Sequence, residues 1–195
     1  YLKRFRSSKM LSYLSIFLLM IFEGIGFPIP SEVIMPLVGY YSRQGQIDFL
    51  TGILLGTLGS LSGSLIDFFI GYKLGYPFLK KYGKYFLVDD RKLERLTVWF
   101  SRFGVFAVFF FRFVPEVRAL ISFPAGIAKM RLVKFVIPTF LGHFIWDFVL
   151  GWLGYLFYYQ ITYIISLAEK VSELLLVVFI ALVIGYIVYR VTRRK

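Results

Sequence analysis

Four apolar stretches in this chain run without a break, at residues 10–27, 50–72, 135–159 and 174–189. Two others are apolar yet interrupted. Residues 28–42 contain Pro28, Pro30 and Pro36, and residues 103–128 contain Arg112, Pro115, Glu116, Arg118 and Pro124. This combination narrows the choice of fold more than any other feature. A helix that crosses a bilayer needs ~20 apolar residues. Lipid offers no partner to a backbone N–H or C=O, so a broken stretch at that depth must be covered by protein or line a cavity. A soluble fold does not accommodate the pattern. The 195 residues are 58% hydrophobic, against about 45–50% in ordinary globular chains, and a domain of this size has too little interior to hide the excess.

The formal net charge of +12 would suggest nucleic acid in a soluble protein. Here the basic residues fall in clusters between apolar stretches, which excludes that reading and points to membrane orientation and anionic headgroups. The clusters are Lys3, Arg4, Arg6 and Lys9; eight residues from Lys73 to Arg102, against three acids; Lys129, Arg131 and Lys134; and Arg190, Arg193, Arg194 and Lys195. The first precedes an apolar run without a small-x-small cleavage pattern, so it reads as a retained span. The absence of Cys removes disulfides and thiolate chemistry, and one histidine, His143, cannot build a multi-His metal centre. No metal or cofactor is expected, and no Gly-rich phosphate loop or Ser-His-Asp set is visible.

If all four clusters are cytoplasmic, the crossings are determined. The expectation is an all-α integral membrane protein of the plasma membrane, a single membrane domain over residues 1–195, with both termini cytoplasmic. Four full transmembrane helices (10–27, 50–72, 135–159, 174–189) alternate with two opposed re-entrant helical hairpins. One hairpin enters from outside at 28–45 and the other from inside at 103–128, in an inverted-repeat arrangement. Residues 73–102 form a cytoplasmic basic linker, read either as an amphipathic surface helix over 80–101, with Leu87, Leu93, Leu96 and Phe100 alternating with charge, or as a solvated connection.

Ionisable groups at membrane depth cost a few kcal/mol each even on lenient scales. The candidates are Glu23, Glu32, Asp67, Arg112, Glu116, Arg118 and Asp147. Ser31 and Glu32 follow Pro30 and read as a helix start, Ser31 as cap and Glu32 as complement to the helix dipole. Glu23 has no capping role and reads as a functional carboxylate. Arg112 and Arg118 flank Pro115. They are either structural partners of Glu23 and Glu32 or binders of a lipid phosphate, which the planar guanidinium grips in bidentate fashion. Asp67 is a coupling carboxylate or a headgroup-level residue. Gly52, Gly56, Gly59 and Gly63 let helices approach closely. His143 and Asp147 are four residues apart on one face and read as a stabilising pair or a proton relay.

Residues 23–45, with an acid, a proline-rich break, a second acid and a closing Gly45, resemble the DedA family. So does Arg112-x-x-Pro115-x-x-Arg118, followed by Pro124-Ala125-Gly126 and Met130, then Gly142, Trp146 and Gly154. The resemblance covers roughly residues 15–158. It implies opposed re-entrant hairpins shared with scramblases of the VTT type, phosphate-bearing lipid substrates such as polyprenyl phosphates or phospholipids, and links to the proton-motive force. It carries functional roles onto Glu23, Glu32, Arg112 and Arg118. The chain departs from the family at Ser64, where an Asp usually follows the glycine; whether Asp67, three residues on, takes that place is left open, and the departure weakens the expectation of a coupling carboxylate in this span. The function expected is a flippase for a phosphate-bearing lipid, with Arg112 and Arg118 on the phosphate and Glu23, Glu32 and Asp67 gating or coupling to protons or another cation. A passive scramblase, an ion-coupled exchanger and a structural membrane protein are the alternatives. Enzyme activity is not expected, and homo-oligomerisation stays open.

Overall fold

The computed structural model describes residues 2–27, 29–75, 90–114 and 117–192. Every regular element among them is helical. In chain order these are α1 (Leu2–Gly24), α2 (Ser31–Arg43), α3 (Phe49–Ile70, continued by a π-helical turn at Gly71–Gly75), α4 (Asp90–Phe111), the short α5 (Val117–Leu120) and α6 (Ser122–Ile127), α7 (Leu132–Leu156) and, after a 3-10 turn at Tyr158–Gln160, α8 (Ile161–Thr192). Two helices among the described residues are long and apolar enough to cross a membrane, Phe49–Gly75 and Leu132–Leu156. They match the expected spans 50–72 and 135–159.

Other boundaries move. α1 begins at Leu2 and stops at Gly24, not 27, because Gly26 takes a φ of 90° that only glycine adopts without strain. α4 runs through the expected division between linker and hairpin at 102 and 103, since neither proline nor a positive-φ residue falls between 90 and 111. α8 begins at Ile161 rather than 174: nothing in its polar first half breaks a helix, so it continues into the apolar half. Two prolines expected to break hairpins do not. Pro36 lies inside α2, and Pro124 sits in the first turn of α6, where its missing N–H costs no intrahelical bond. Pro28, Pro115, Glu116 and Leu87 lie outside the described residues.

The packing is the same motif built twice. α1 lies along α3 and α2 along α7, while α4 lies along α7 and α6 along α3 and its π turn. Glycines set these contacts. A Cβ on Gly39 would strike the Gly151 carbonyl and the Tyr155 N–H, and one on Gly126 would strike the Phe68 carbonyl and the Tyr72 N–H. Gly154 faces the Pro36 carbonyl as Gly71 faces that of Phe123. The shift is 83 in the long helices (68 to 151, 71 to 154, 72 to 155) and 87 in the helices that follow the breaks (36 to 123, 39 to 126). In the first helix it is 92: Gly59 packs on Phe17 and Met20, and Gly142 on Phe109 and Arg112. The two apolar cores obey the same shifts, pairing Ile16 with Val108, Val38 with Ala125 and Ile47 with Met130.

Candidate functional site

The site forms where the two breaks meet. After α1, Gly26 turns the chain and Pro30, extended at φ −78° and ψ 120°, heads α2. Its side chain makes no cap. The expected cap residue, Ser31, is instead the first helical residue, and Glu32 lies in the first turn as the dipole argument requires. In the second half, α4 ends in a tightened turn in which the N–H groups of Arg112, Phe113 and Val114 donate to carbonyls three residues back. Four-residue α5 then carries Arg118.

Arg118 is almost fully buried at the centre. Its Nη2 lies 2.8 Å from Glu23 Oε1 and 3.5 Å from Glu32 Oε2, and donates to Ser31 Oγ at 2.8 Å. One nitrogen makes all three contacts, so neither carboxylate closes the bidentate pair that is the strongest arrangement for a guanidinium. Two carboxylates on one cation leave a surplus negative charge. Hydroxyls offset it: Ser60 donates to Glu23 Oε2 at 2.6 Å, and Ser172 of α8 to Glu32 Oε1 at 3.3 Å.

Arg112 has a different environment. It has no solvent exposure and lies over the Phe135 ring at 5.7 Å. Its Nη1 donates to the Arg118 carbonyl, and its Nη2 to Ser122 Oγ at 2.9 Å and Thr139 Oγ1 at 3.2 Å, while Nε has no partner among the described residues. No carboxylate is within ion-pair distance among the described residues. Sequence reasoning grouped the two arginines and set both glutamates against both. The structure gives both glutamates to Arg118 and makes Arg112 a brace for the backbone on which Arg118 sits.

A cleft of about 580 Å³ opens on Arg118. Glu23, Gly26, Pro30 and Glu32 line one wall, Ala119 and Leu120 another, and Glu169, Ser172 and Glu173 of α8 the third. Arg112 is not among its lining residues.

The sequence model of the VTT domain matches residues 29–156. The chain belongs to the VTT-domain family, the DedA proteins. It is 32% identical over 187 residues to undecaprenyl phosphate transporter A of Staphylococcus aureus, covering 94% of this chain and 92% of that one. It is 40% identical over 126 residues to undecaprenyl phosphate transporter A of Bacillus subtilis, covering 65% and 64%. It is also 35% identical over 142 residues to the B. subtilis membrane protein YbfM, covering 73% and 88%. No solved structure matches.

The VTT match takes in Glu32, Arg112, Arg118, His143 and Asp147, and leaves Glu23 and the α8 wall to the flanking helices. Within the VTT domain, His143 and Asp147 do not pair with each other. His143 Nε2 meets Ser64 Oγ at 3.3 Å, and Asp147 Oδ2 accepts from Thr57 Oγ1 at 3.0 Å. Asp67 is half-buried outside the cleft and interacts with Arg112 through space. Sequence reasoning passed over the hydroxyls Thr57, Ser60, Ser122, Thr139 and Ser172 and gave Ser31 only a capping role and Ser64 only the place of a missing acid; all seven are buried. The spacing of Thr57, Ser60 and Ser64, which puts three hydroxyls on one face of an apolar helix, was a signal for three of them. Glu169 and Glu173 were also missed, because they lie N-terminal to the apolar half of α8.

Proposed function

We propose that this VTT-domain protein carries a phosphate-bearing lipid across the membrane, with the headgroup phosphate on Arg118. The carrying observation is the state of that residue: a buried guanidinium at the head of a cleft, held through one nitrogen by two carboxylates. A phosphate offers the bidentate geometry that neither glutamate supplies. It would displace Glu23 and Glu32, which close the site again when it leaves. Arg112 would position α5, and Asp67, through its interaction with Arg112, is a candidate for coupling to protons. Two relatives named as undecaprenyl phosphate transporters support a polyprenyl phosphate as substrate. A carrier fits better than a hydrolase, because the Ser64–His143 pair is buried and does not line the cleft.

The spans support two hairpins with facing tips. The apolar runs that lead into the breaks, from Met10 to Gly24 in α1 and from Leu96 to Phe111 in α4, are short, and so is Val117–Ile127 after the second break. At 1.5 Å per residue each reaches about 15–25 Å, less than the ~30 Å hydrocarbon core. Glu23 and Arg118 lie at the two tips and touch. We therefore read α1 and α2 as one hairpin and α4 to α6 as the other, in place of a complete crossing by 10–27, with α3, α7 and α8 as the crossings.

A second reading is favoured by Glu169 and Glu173. Two exposed carboxylates on the cleft wall suit an ammonium, so a phospholipid carrying phosphate and amine would find both partners. The test is translocation in proteoliposomes of a polyprenyl phosphate, phosphatidylethanolamine and phosphatidylglycerol, by wild type and by Arg118→Gln. Movement of the first alone, lost in the variant, supports the polyprenyl reading. Preference for the amine lipid, lost in Glu169→Gln with Glu173→Gln, supports the second. Movement of none by wild type would sink both and favour an ion exchanger or a structural role.

A further inference from the structure

α3 presents three buried hydroxyls on one face, and each serves a different titratable side chain, one from α1 and two from α7. Thr57 donates to Asp147, Ser60 donates to Glu23, and Ser64 meets His143. Thr57, Ser60 and Ser64 are each 0% exposed. Two of the three titratable groups are accounted for, Glu23 by Arg118 and His143 as a buried imidazole with a hydroxyl partner. Asp147 is not. It has no exposure, a single hydroxyl on Oδ2, and an Oδ1 with no partner among the described residues.

The charged groups around it do not supply a counter-ion. From α1 and α2 it faces Glu23 and Glu32, which are like charges; from α5 it faces Arg118, which those two glutamates already hold. On α3, Thr57, Ser60 and Ser64 offer only hydroxyls, and Asp67 interacts with Arg112, just past the end of α4. His143, one turn back on its own helix α7, is engaged by Ser64. Glu169, Lys170 and Glu173 of α8 are exposed. An ionised carboxylate buried without a cation or a second donor is far less stable than a neutral carboxyl with one unpaired atom.

We propose that Asp147 is a proton-binding site of the transport cycle, neutral while Glu23 holds Arg118, and that the hydroxyl row on α3 connects it to Glu23. The step involves no chemistry beyond proton transfer. When a phosphate takes Arg118, Glu23 loses its cation and becomes the better base. The Asp147 carboxyl and the Thr57 and Ser60 hydroxyls must then turn from their present directions to pass the proton to a Glu23 oxygen; Glu23, which lines the cleft, gives it up to water there when it takes Arg118 back, and Asp147 is reprotonated from water as the site reopens. This rests on the lipid-carrier reading for its use, but not for the existence of the site.

The experiment therefore has two arms. The first is infrared spectroscopy of the purified, lipid-free protein near neutral pH. Wild type should show the C=O stretch of a protonated carboxylic acid, Asp147→Asn should lack it, and Thr57→Val should move it to higher frequency by removing the hydrogen bond to that carbonyl. A wild type without the band, or a band unchanged in either variant, overturns the proposal. Because Thr57→Val keeps the carboxylate, the arm remains decisive should Asp147→Asn not fold. The second arm is lipid translocation in proteoliposomes under an imposed pH gradient. Wild type should respond to the gradient by several-fold, and Asp147→Asn should exchange lipid at one rate whatever the gradient. A wild type that moves lipid but ignores the gradient overturns the use of the site. A wild type that moves no lipid counts against the carrier reading, while the infrared arm still decides whether Asp147 holds the proton.

Discussion

Two arginines six residues apart illustrate how much one side chain's surroundings decide. Both are buried guanidiniums beside a helix break, and sequence reasoning gave them one role. Arg118 faces two acids and a cleft, whereas Arg112 faces a carbonyl, two hydroxyls and an aromatic ring. Substitution by lysine should separate them. Lys keeps the charge but replaces a planar fork by a point charge with three donors. At Arg112 the fork spans acceptors on Arg118, Ser122 and Thr139, which a lysine cannot reach together. Each lost hydrogen bond to a charged donor is worth about 1.5–3 kcal/mol. Arg112→Lys should therefore lower the thermal unfolding midpoint in detergent by several degrees. Arg118→Lys should leave the midpoint near wild type, because an ammonium can still sit between Glu23 and Glu32, and should reduce lipid translocation through loss of bidentate phosphate contact. The opposite ranking in the two assays would show that the brace and the binding group had been interchanged.

At the scale of the elements, glycine-mediated contact is what the halves have in common, and it makes a controlled comparison. Gly39 and Gly126 touch backbone of the long helix of the other half, whereas a Cβ on Gly185 meets nothing within 4 Å. Gly39→Ala and Gly126→Ala should each destabilise by about 1–3 kcal/mol through overpacking, and Gly185→Ala should stabilise by up to about 1 kcal/mol through helix propensity alone. Thermal unfolding of the three variants checks both signs. The start of α3 offers a test by pH. The Asp48 carboxylate accepts from the Thr51 N–H at 2.8 Å and its hydroxyl at 2.6 Å, and these bonds hold its carboxyl below the usual range. Since the folded value is the lower one, the cap is fully present above the unfolded carboxyl pKa of ~3.9 and is lost as pH falls through the folded value. Asp48→Ala should cost about 1 kcal/mol at neutral pH, and the difference from wild type should shrink below about pH 4. These elements also show what the sequence could reveal. The spans around α3 and α7 were legible because apolar length decides them, and the buried charges because lipid makes them costly. The continuity of α4 and α8 was not legible, because polar residues inside an unbroken helix look the same on paper as a linker. The pairing of Glu23 and Glu32 with Arg118 alone was hidden for another reason: it depends on how the two halves dock, and no local pattern encodes that.

For the whole molecule, the doubled packing motif makes a statement about sidedness. Ile47 and Met130 are equivalent core residues at the ends of equivalent elements, and under the proposed topology the segment from one to the other holds one crossing, α3, and a hairpin, α4 to α6, that returns to its own face. Positions next to them should therefore emerge on opposite sides of the membrane. Charge supplies the expectation for which is which: Arg131 and Lys134 lie in a basic cluster that favours the cytoplasm, and Gln46 has only Arg43 nearby. The hairpin reading adds a stronger demand. If α1 and α2 return to the face from which they start, the beginning of α1 lies on the same side as Gln46, although Lys3, Arg4, Arg6 and Lys9 favour the other. Packing and charge disagree at that one point. The packing argument carries more weight, because a complete crossing by α1 would move Glu23 away from the level of Arg118, and the two are 2.8 Å apart. The chain has no cysteine, so single substitutions Ser8→Cys, Gln46→Cys and Arg131→Cys can be labelled in intact cells with a membrane-impermeant maleimide without a native background. Labelling of Ser8→Cys and Gln46→Cys, with Arg131→Cys protected until the cells are opened, is the expected result. Labelling of Gln46→Cys alone would restore a full first crossing and require the Glu23–Arg118 contact to form away from the midplane, and equal labelling of Gln46→Cys and Arg131→Cys would remove the inverted relation between the halves.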